Sequence, residues 1–93
     1  MGKFRVEVTG KAKGDIERHY KSGNKASIRK IEKMLVELSV HPETGTGKPE
    51  RLKYNLSDYW SRRINHKDRM VYSIDNDTVT VEVVSAMDHY FNK

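Results

Sequence analysis

Hydrophobic and polar positions follow two periods along the chain, and both occur in its first half. Near the N-terminus, "KFRVEV" alternates apolar and charged side chains, which predicts a half-buried β-strand over residues 3–8. The segment "KGDIERHYKS" predicts a short helix that buries Ile16 and Tyr20. A longer helix is predicted in "NKASIRKIEKMLVELSVHP", where Asn24 is the expected N-cap and Pro42 ends the helix. Its apolar positions fall on one stripe: Ile28, Ile31, Leu35 and Leu38.

The second half of the chain predicts four β-strands. Their segments are "RLKY", "DYWSRRI", "RMVYSID" and "TVTVEVV", and they are joined by the short links "NLS", "NHKD" and "DND". Links of this length favour a consecutive antiparallel meander. Together with the N-terminal strand, this order predicts an α+β fold in which two helices pack on one face of a mostly antiparallel sheet. A chain of 93 residues is expected to form a single domain, residues 1–93.

The alternation along the strands also predicts which side chains point away from the helices. The apolar positions take the helix side of the sheet. Four other side chains are then expected to share an open, solvent-exposed face: Lys53, Tyr59, Arg63 and Arg69. Arg51 has the same parity as Lys53, whereas Arg62 falls on the core side and is expected to reach solvent at an edge. A charged solvent face is ordinary, but cations interleaved with aromatic rings are also typical of RNA-binding surfaces.

Composition narrows the class of partner and excludes some chemistry. A formal net charge of +5 and a pI near 9.5 favour an acidic partner, which leaves nucleic acid, an acidic protein or an anionic membrane surface open. The absence of cysteine excludes disulfides and thiolate metal sites, and the four histidines lack the spacing of a metal site. No apolar run is long enough for a signal peptide or a membrane span, so a cytoplasmic location is expected.

The glycine-containing segment "ETGTGKP", residues 43–49, is predicted to be a loop. It has a superficial similarity to a phosphate-binding P-loop. However, the four-residue spacer between glycines is missing, and Pro49 stands where that motif has Ser or Thr after the lysine. The segment is therefore not interpreted as a nucleotide-binding loop.

One long stretch carries a specific resemblance. The run "GTGKPERLKYNLSDYWSRRINHKDRMVYSI", followed near the C-terminus by "HY", resembles the YoeB/Txe branch of the RelE/ParE superfamily of bacterial toxins. The pattern of that branch comprises a Gly-Lys-Pro-Glu-x-Leu-Lys segment, an Asn-Leu-Ser-x-aromatic-Trp-Ser-Arg-Arg-Ile segment, an Arg-x-Val-Tyr strand and a terminal His-Tyr pair. This chain has every element in order, over roughly residues 45–90.

The resemblance implies both a fold and a function. It implies a RelE-like fold and the toxin component of a type II toxin–antitoxin system. Such toxins are metal-independent mRNA endoribonucleases that need no cofactor and act in the ribosomal A site to inhibit translation. A cognate antitoxin of the YefM, Axe or Phd kind is the implied protein partner, and a homodimer is compatible with the family. A membrane partner is not expected.

The resemblance also implies roles for individual residues, carried over by position. Glu50 matches the general base, Arg69 the phosphate clamp and His89 the general acid, while Tyr90 matches the terminal tyrosine. Two further cations, Lys53 and Arg63, match positions that line the same cleft. Tyr59, on the open face, is a candidate for base stacking. Beyond the His-Tyr pair, this chain continues for three residues, 91–93.

These residue types suit RNA cleavage, since RNA carries its own nucleophile in the 2′-hydroxyl group. The reaction needs a base for the 2′ proton, an acid for the 5′-oxygen and cations for the charge that develops on the phosphate. Glu43 is an alternative acidic residue for the role given to Glu50. An alternative function also stays open: a catalytically inactive module of the same fold that binds an antitoxin, RNA or the ribosome.

Overall fold

The computed structural model describes residues 3–53 and 58–86. Within them lie two helices, α1 (Gly10–Ser22) and α2 (Lys25–Leu38), and five strands: β1 (Arg5–Val8), β2 (Glu50–Arg51), β3 (Tyr59–Arg63), β4 (Asp68–Asp75) and β5 (Thr78–Ala86). The sheet has the order β1-β5-β4-β3-β2, with β1 parallel to β5 and every other pair antiparallel. The predicted α+β fold, with a mostly antiparallel sheet and a consecutive C-terminal meander, is confirmed. No helix in these two described ranges is long and apolar enough to cross a membrane.

Side-chain caps set the bounds of both helices. The Thr9 side chain accepts a hydrogen bond from the backbone N–H of Ala12, so α1 begins three residues before the predicted segment. Gly23 ends α1 in the left-handed region, at φ 76°, where a residue without Cβ is favoured. Asn24 caps α2 as predicted and accepts from the N–H of Ser27 at 3.1 Å. The helix α2 ends at Leu38, four residues before Pro42.

The core lies between the helices and the helix-facing side of the sheet. Ile31 and Leu38 of α2 are buried as predicted, and Met34, which was not on the predicted stripe, is fully buried between them. Ile28 and Leu35 are only partly buried. The sheet and the residue directly after β3, Ile64, contribute a group of side chains to the same cluster: Ile64, Met70, Tyr72, Val79, Val81 and Val84.

The orientation of α1 differs from the prediction. Tyr20 is 48% exposed instead of buried, and its hydroxyl group donates to Glu32 at 2.6 Å. The residue that turns inward is Asp15, whose carboxylate accepts a hydrogen bond from the Val84 N–H at 3.0 Å. Because a buried carboxylate needs such partners, Asp15 fixes which side of α1 faces β5. Lys11 and Arg18 also bind this carboxylate.

A β-bulge changes the alternation in β5. Val71 pairs with Val83, but Tyr72 pairs with Val81, so Glu82 is an extra residue in the ladder. Strict alternation would place Val81 and Val83 on the same face. The bulge instead places Val83 away from the helices, and Val84 joins the core.

The prediction that Arg62 reaches solvent at an edge is wrong. Its side chain faces the core side of β3, as the parity indicated, but it does not escape at an edge and is fully buried. The guanidinium donates to Glu37 Oε1 at 2.6 Å, to the Tyr72 hydroxyl at 3.1 Å, and to the carbonyls of His41 and Thr44 at 2.9 and 2.7 Å. These acceptors compensate for the loss of hydration, so the charge can remain inside the protein.

The same network fixes the segment between α2 and β2. Thr46 donates to the Glu37 carboxylate from both its N–H and its hydroxyl group, and the Tyr72 hydroxyl donates to the Pro42 carbonyl. Burial acts to raise the pKa of Glu37, but the hydrogen bonds from Thr46 and Arg62 outweigh it and hold that pKa below its usual value. Burial raises the pKa of the Tyr72 phenol, so it stays a neutral donor.

We predict that Arg62→Lys destabilises the fold by about 2–4 kcal/mol, because a lysine ammonium cannot reach all of the acceptors that the guanidinium binds. The free energy of unfolding, measured by urea denaturation, checks this. The matched control is Arg63→Lys, at the next position on the opposite face, where the side chain is exposed and a change within about 0.5 kcal/mol is expected. Equal stabilities for the two variants would contradict the central role of Arg62.

We also predict a pH dependence that originates from Glu37. Because its pKa is lower in the folded state than the usual 4.5, its contribution to stability is complete above that value and is lost as the pH falls through the folded-state pKa. The stability difference between wild type and Glu37→Gln should therefore shrink between about pH 7 and about pH 3. Urea denaturation at several pH values measures it, with Glu17→Gln, on an exposed side of α1, as the control. If the stability difference between wild type and Glu37→Gln did not change with pH, the lowered pKa of Glu37 would be refuted.

Candidate active site

Two rows of side chains cross the sheet on the face away from the helices. The register pairs Glu50 with Ser61, and Ser61 with Val71, which defines the first row. Arg63 pairs with Arg69 in the next row. Because paired residues on adjacent strands point to the same side, Glu50 and the two arginines converge on one end of this face. The predicted grouping of Arg63 and Arg69 is therefore present.

A small cavity marks where these side chains meet. Its volume is about 120 Å³, and it is lined by Gly47, Lys48, Glu50, Arg63 and Arg69. The Arg69 guanidinium lies 3.7 Å from a Glu50 carboxylate oxygen, and the two side chains are 27% and 67% exposed. An ion pair this long and this exposed contributes little to stability. Both groups thus remain available to a bound molecule.

The backbone before β2 shapes one wall of the cavity. The Gly47 carbonyl accepts a hydrogen bond from the Arg63 N–H at 2.7 Å, which ties the loop to the end of β3. Gly47 has φ 87°, and a Cβ at this position would lie 2.6 Å from Met34 Cε and 2.8 Å from the Arg63 carbonyl oxygen. Only glycine fits this close approach without a shift of its surroundings. Lys48 follows, also in the left-handed region at φ 52°.

The face away from the helices is less open than expected. Ser61 and Val71 are fully buried and Val83 is nearly so, although none of them belongs to the core cluster between helices and sheet. The hydroxyl groups of Ser61 and Ser85 are also buried, and they have no hydrogen-bond partner in the described part of the chain. Alternation predicted the face of Arg63 and Arg69 correctly, but it does not determine how much of that face is exposed.

The structure brings together three of the seven predicted site residues: Glu50, Arg63 and Arg69. Tyr59 is half-buried on the same face, at the opposite end of β3, and Lys53 is exposed beyond the end of β2 without lining the cavity. His89 and Tyr90 lie outside the described residues. Their predicted roles remain predictions.

Glu50 and Glu43, the two candidates for the general base, lie at different cavities. Glu50 pairs with Ser61, whereas Arg51 pairs with Trp60 and so points to the other face, contrary to the parity expected for it. The expectation failed because β2 contains only Glu50 and Arg51 instead of starting at residue 51. Glu43 lines a different cavity, of about 480 Å³, together with Arg51 and Trp60. The carboxylate beside Arg69 is that of Glu50.

Lys48 is a charged cavity residue that was not among the predicted site residues. It belongs to the loop "ETGTGKP", which was set aside because it lacks the P-loop spacing. The available signal was the lysine's position directly before the Pro-Glu of the motif, two residues from Glu50. Its backbone conformation could not be read from the sequence.

The arrangement can accept a proton and hold an anion. An accessible carboxylate is suited to general base work, and guanidinium groups bind phosphate oxygens through a planar fork. Among residues 3–53 and 58–86, no group of three or more His, Asp or Glu side chains is arranged to hold a metal ion.

Comparison with known proteins identifies the relatives of this sequence. Residues 10–90 match the family described as YoeB-like toxin of bacterial type II toxin–antitoxin system. The toxin YoeB of Synechocystis sp. is 40% identical over 72 residues, which covers 76% of this chain and 80% of that protein.

Solved structures agree with the match in sequence. The YoeB dimer from Staphylococcus aureus superposes with a TM-score of 0.74 at 31% identity, covering 89% of this chain and 95% of that one. The YoeB–YefM complex from the same organism gives a TM-score of 0.73 at 32% identity, covering 88% and 94%.

We predict that Gly47→Ala destabilises the protein by about 1–3 kcal/mol, because alanine is strained at this φ and its methyl group would press on Met34 and the Arg63 carbonyl. Thermal unfolding measures the effect. Gly14→Ala is the control: it lies inside α1 with open space around its Cβ, and should stabilise by about 0.5–1 kcal/mol. A Gly47→Ala variant as stable as wild type would show that the loop does not need this close approach.

Proposed function

This chain belongs to the YoeB-like toxins of bacterial type II toxin–antitoxin systems, and from that premise we propose that it is an endoribonuclease that cleaves mRNA in the ribosomal A site. The observation that carries the proposal is a carboxylate, which can act as a general base, beside a guanidinium, which can bind a phosphate group. The Glu50 carboxylate faces the Arg69 guanidinium at 3.7 Å, and Arg63 lies beside it across the strand pair.

Glu50 acts as the general base in the proposed reaction. It takes the proton of the 2′-hydroxyl group, the 2′-oxygen forms a bond to the adjacent phosphorus, and the bond from phosphorus to the 5′-oxygen breaks. His89, assigned by the family pattern, protonates the departing 5′-oxygen, and Tyr90 belongs to the same terminal pair. The products are a 2′,3′-cyclic phosphate and a 5′-hydroxyl group. Neither a protein nucleophile nor a metal ion is required, because the RNA supplies the attacking oxygen.

The two arginines hold the phosphate and stabilise the charge that develops on it. A guanidinium presents two parallel N–H groups to phosphate oxygens, a geometry that lysine cannot reproduce. The cavity of about 120 Å³ is much smaller than the roughly 300–1,000 Å³ of a pocket for a drug-sized ligand. It is suited to a phosphodiester group, while the bases contact other parts of the surface. Tyr59 and Lys53 are the proposed contacts there, through stacking and phosphate binding.

The shallowness of the site supports ribosome dependence. The proposed base is two-thirds exposed, and the described part of the cavity offers little surface to orient a flexible RNA strand. Much of a cleavage rate comes from holding the attacking oxygen in line with the leaving group. A messenger RNA held by the ribosome would arrive already positioned, and the toxin would add the base and the cations.

An acidic antitoxin of the YefM kind is the proposed protein partner, and a homodimer the proposed assembly. The related toxin from Staphylococcus aureus has been solved both with YefM and as a dimer. A net charge of +5 favours association with an acidic, flexible segment that folds on binding.

The proposal is tested by primer extension on an mRNA translated in a purified bacterial system. Wild-type protein should produce cuts that require ribosomes on the message. Glu50→Gln and His89→Ala should each lower the cleavage rate by about 10²–10⁴-fold, the usual contribution of general acid–base catalysis. Glu43→Gln is the matched control and should cleave like wild type.

Two results would overturn the proposal. Equal losses in Glu43→Gln and Glu50→Gln would contradict the assignment of the base. No cleavage by folded wild-type protein would favour the alternative, a module of this fold that only binds its partner. Circular dichroism of each variant distinguishes a catalytic loss from unfolding.

A further inference from the structure

Lys48 borders the cavity with a charge that, like that of Arg63, makes no ion pair within residues 3–53 and 58–86. Its side chain lines the same wall as Glu50, Arg63 and Arg69, and it is exposed. Arg69, by contrast, is engaged with Glu50. Three cations thus surround a single carboxylate, which leaves an excess of positive charge at the cavity. Such an excess favours the binding of an anion.

The backbone at Lys48 adds a second, independent observation. In the described ranges, two residues other than glycine have positive φ: Asn76, at 57° in the turn between β4 and β5, and Lys48, at 52°. Asparagine tolerates this region well, but a long side chain does so at a cost in energy. The lysine is therefore not explained by the needs of the turn, and residues in strained conformations cluster at functional sites.

We infer that Lys48 is a further RNA-binding residue, whose ammonium group contacts a backbone phosphate of the bound strand next to the phosphate held by Arg69. The inference rests on the proposed function, because it takes RNA as the anion in the cavity. Strong tethering of the preceding loop supports it: the Gly47 carbonyl is bound to the Arg63 N–H, so the lysine stem starts from a fixed point beside the arginines.

The chemistry of lysine indicates which step it affects. An ammonium group acts as a compact point charge without the planar fork of arginine, so it suits a phosphate that is held and not transformed. A contact that is equally strong in the ground state and the transition state lowers the concentration needed for binding and leaves the maximal rate unchanged. Loss of Lys48 should therefore weaken binding, in contrast to loss of Glu50, which should slow the chemical step.

The test is single-turnover cleavage on ribosomes programmed with a short message, at a series of toxin and salt concentrations. Lys48→Asn should raise the half-maximal toxin concentration about threefold to fivefold, the size expected for one exposed charge pair. It should also make the slope of log affinity against log salt shallower by about 0.7. The maximal rate should stay within about twofold of wild type. Because asparagine suits a positive φ, the melting temperature should be unchanged or higher.

Two further variants separate charge from conformation. Lys48→Arg keeps the charge and should retain most of the affinity, whereas Lys48→Gly removes both charge and strain and should behave like Lys48→Asn. Lys3→Asn is the matched control for the loss of one positive charge, since Lys3 is exposed outside the helices, just before the strand at the opposite edge of the sheet. It should leave both the affinity and the salt slope unchanged.

The outcomes distinguish this inference from the proposed function. An unchanged affinity for Lys48→Asn and Lys48→Gly, or a loss equal to that of Lys3→Asn, would overturn the role of Lys48. Binding is also measured on a message with a 2′-deoxynucleotide at the cleavage position. If wild type binds this message but never cleaves the normal one, the proposed endoribonuclease activity is refuted. The role of Lys48 is then decided by the affinities of wild type and the Lys48 variants alone. If wild type binds neither message, the inference fails as well.

Discussion

The buried guanidinium of Arg62 is the interaction on which the arrangement of the site depends. It connects the end of α2, through Glu37, to the carbonyls of a loop that has no regular secondary structure of its own. These bonds hold the carbonyls of His41 and Thr44 in fixed positions relative to β3. The loop continues into Gly47 and Lys48, and then into β2. The position of the cavity wall is thus set by a charge on the opposite side of the sheet.

Adjacent arginines have opposite surroundings because a strand alternates its faces. Arg62 points to the core side, where every part of its guanidinium has an acceptor, and Arg63 points to the cavity, where the described residues offer its charge no ion pair. A saturated buried charge specifies one conformation, at a cost in desolvation that its partners offset. An exposed and uncompensated charge adds nothing comparable to stability and is available for a ligand. The contrast separates the structural arginine from the candidate binding arginine.

Much of the fold could be predicted because local signals agree with each other. The Asn24 cap, the apolar stripe of α2 and the alternation in β3 and β4 each indicated the observed structure, and the parity of Arg63 and Arg69 was correct. What failed depended on contacts between distant parts of the chain. Arg62 was expected at an edge because no sequence pattern shows that Glu37 and the carbonyls of residues 41–44 would meet it.

The same distinction explains the errors around the cavity. Arg51 was placed on the wrong face because β2 pairs along only two residues, and a strand that short carries too little pattern to fix its register. The bulge at Glu82 and the left-handed turn at Lys48 are likewise properties of the assembled sheet and loop. Composition and motif predicted which residues to look for at the site. It took the fold to show that Glu50, and not Glu43, lies beside Arg69, and that a third cation borders the same space.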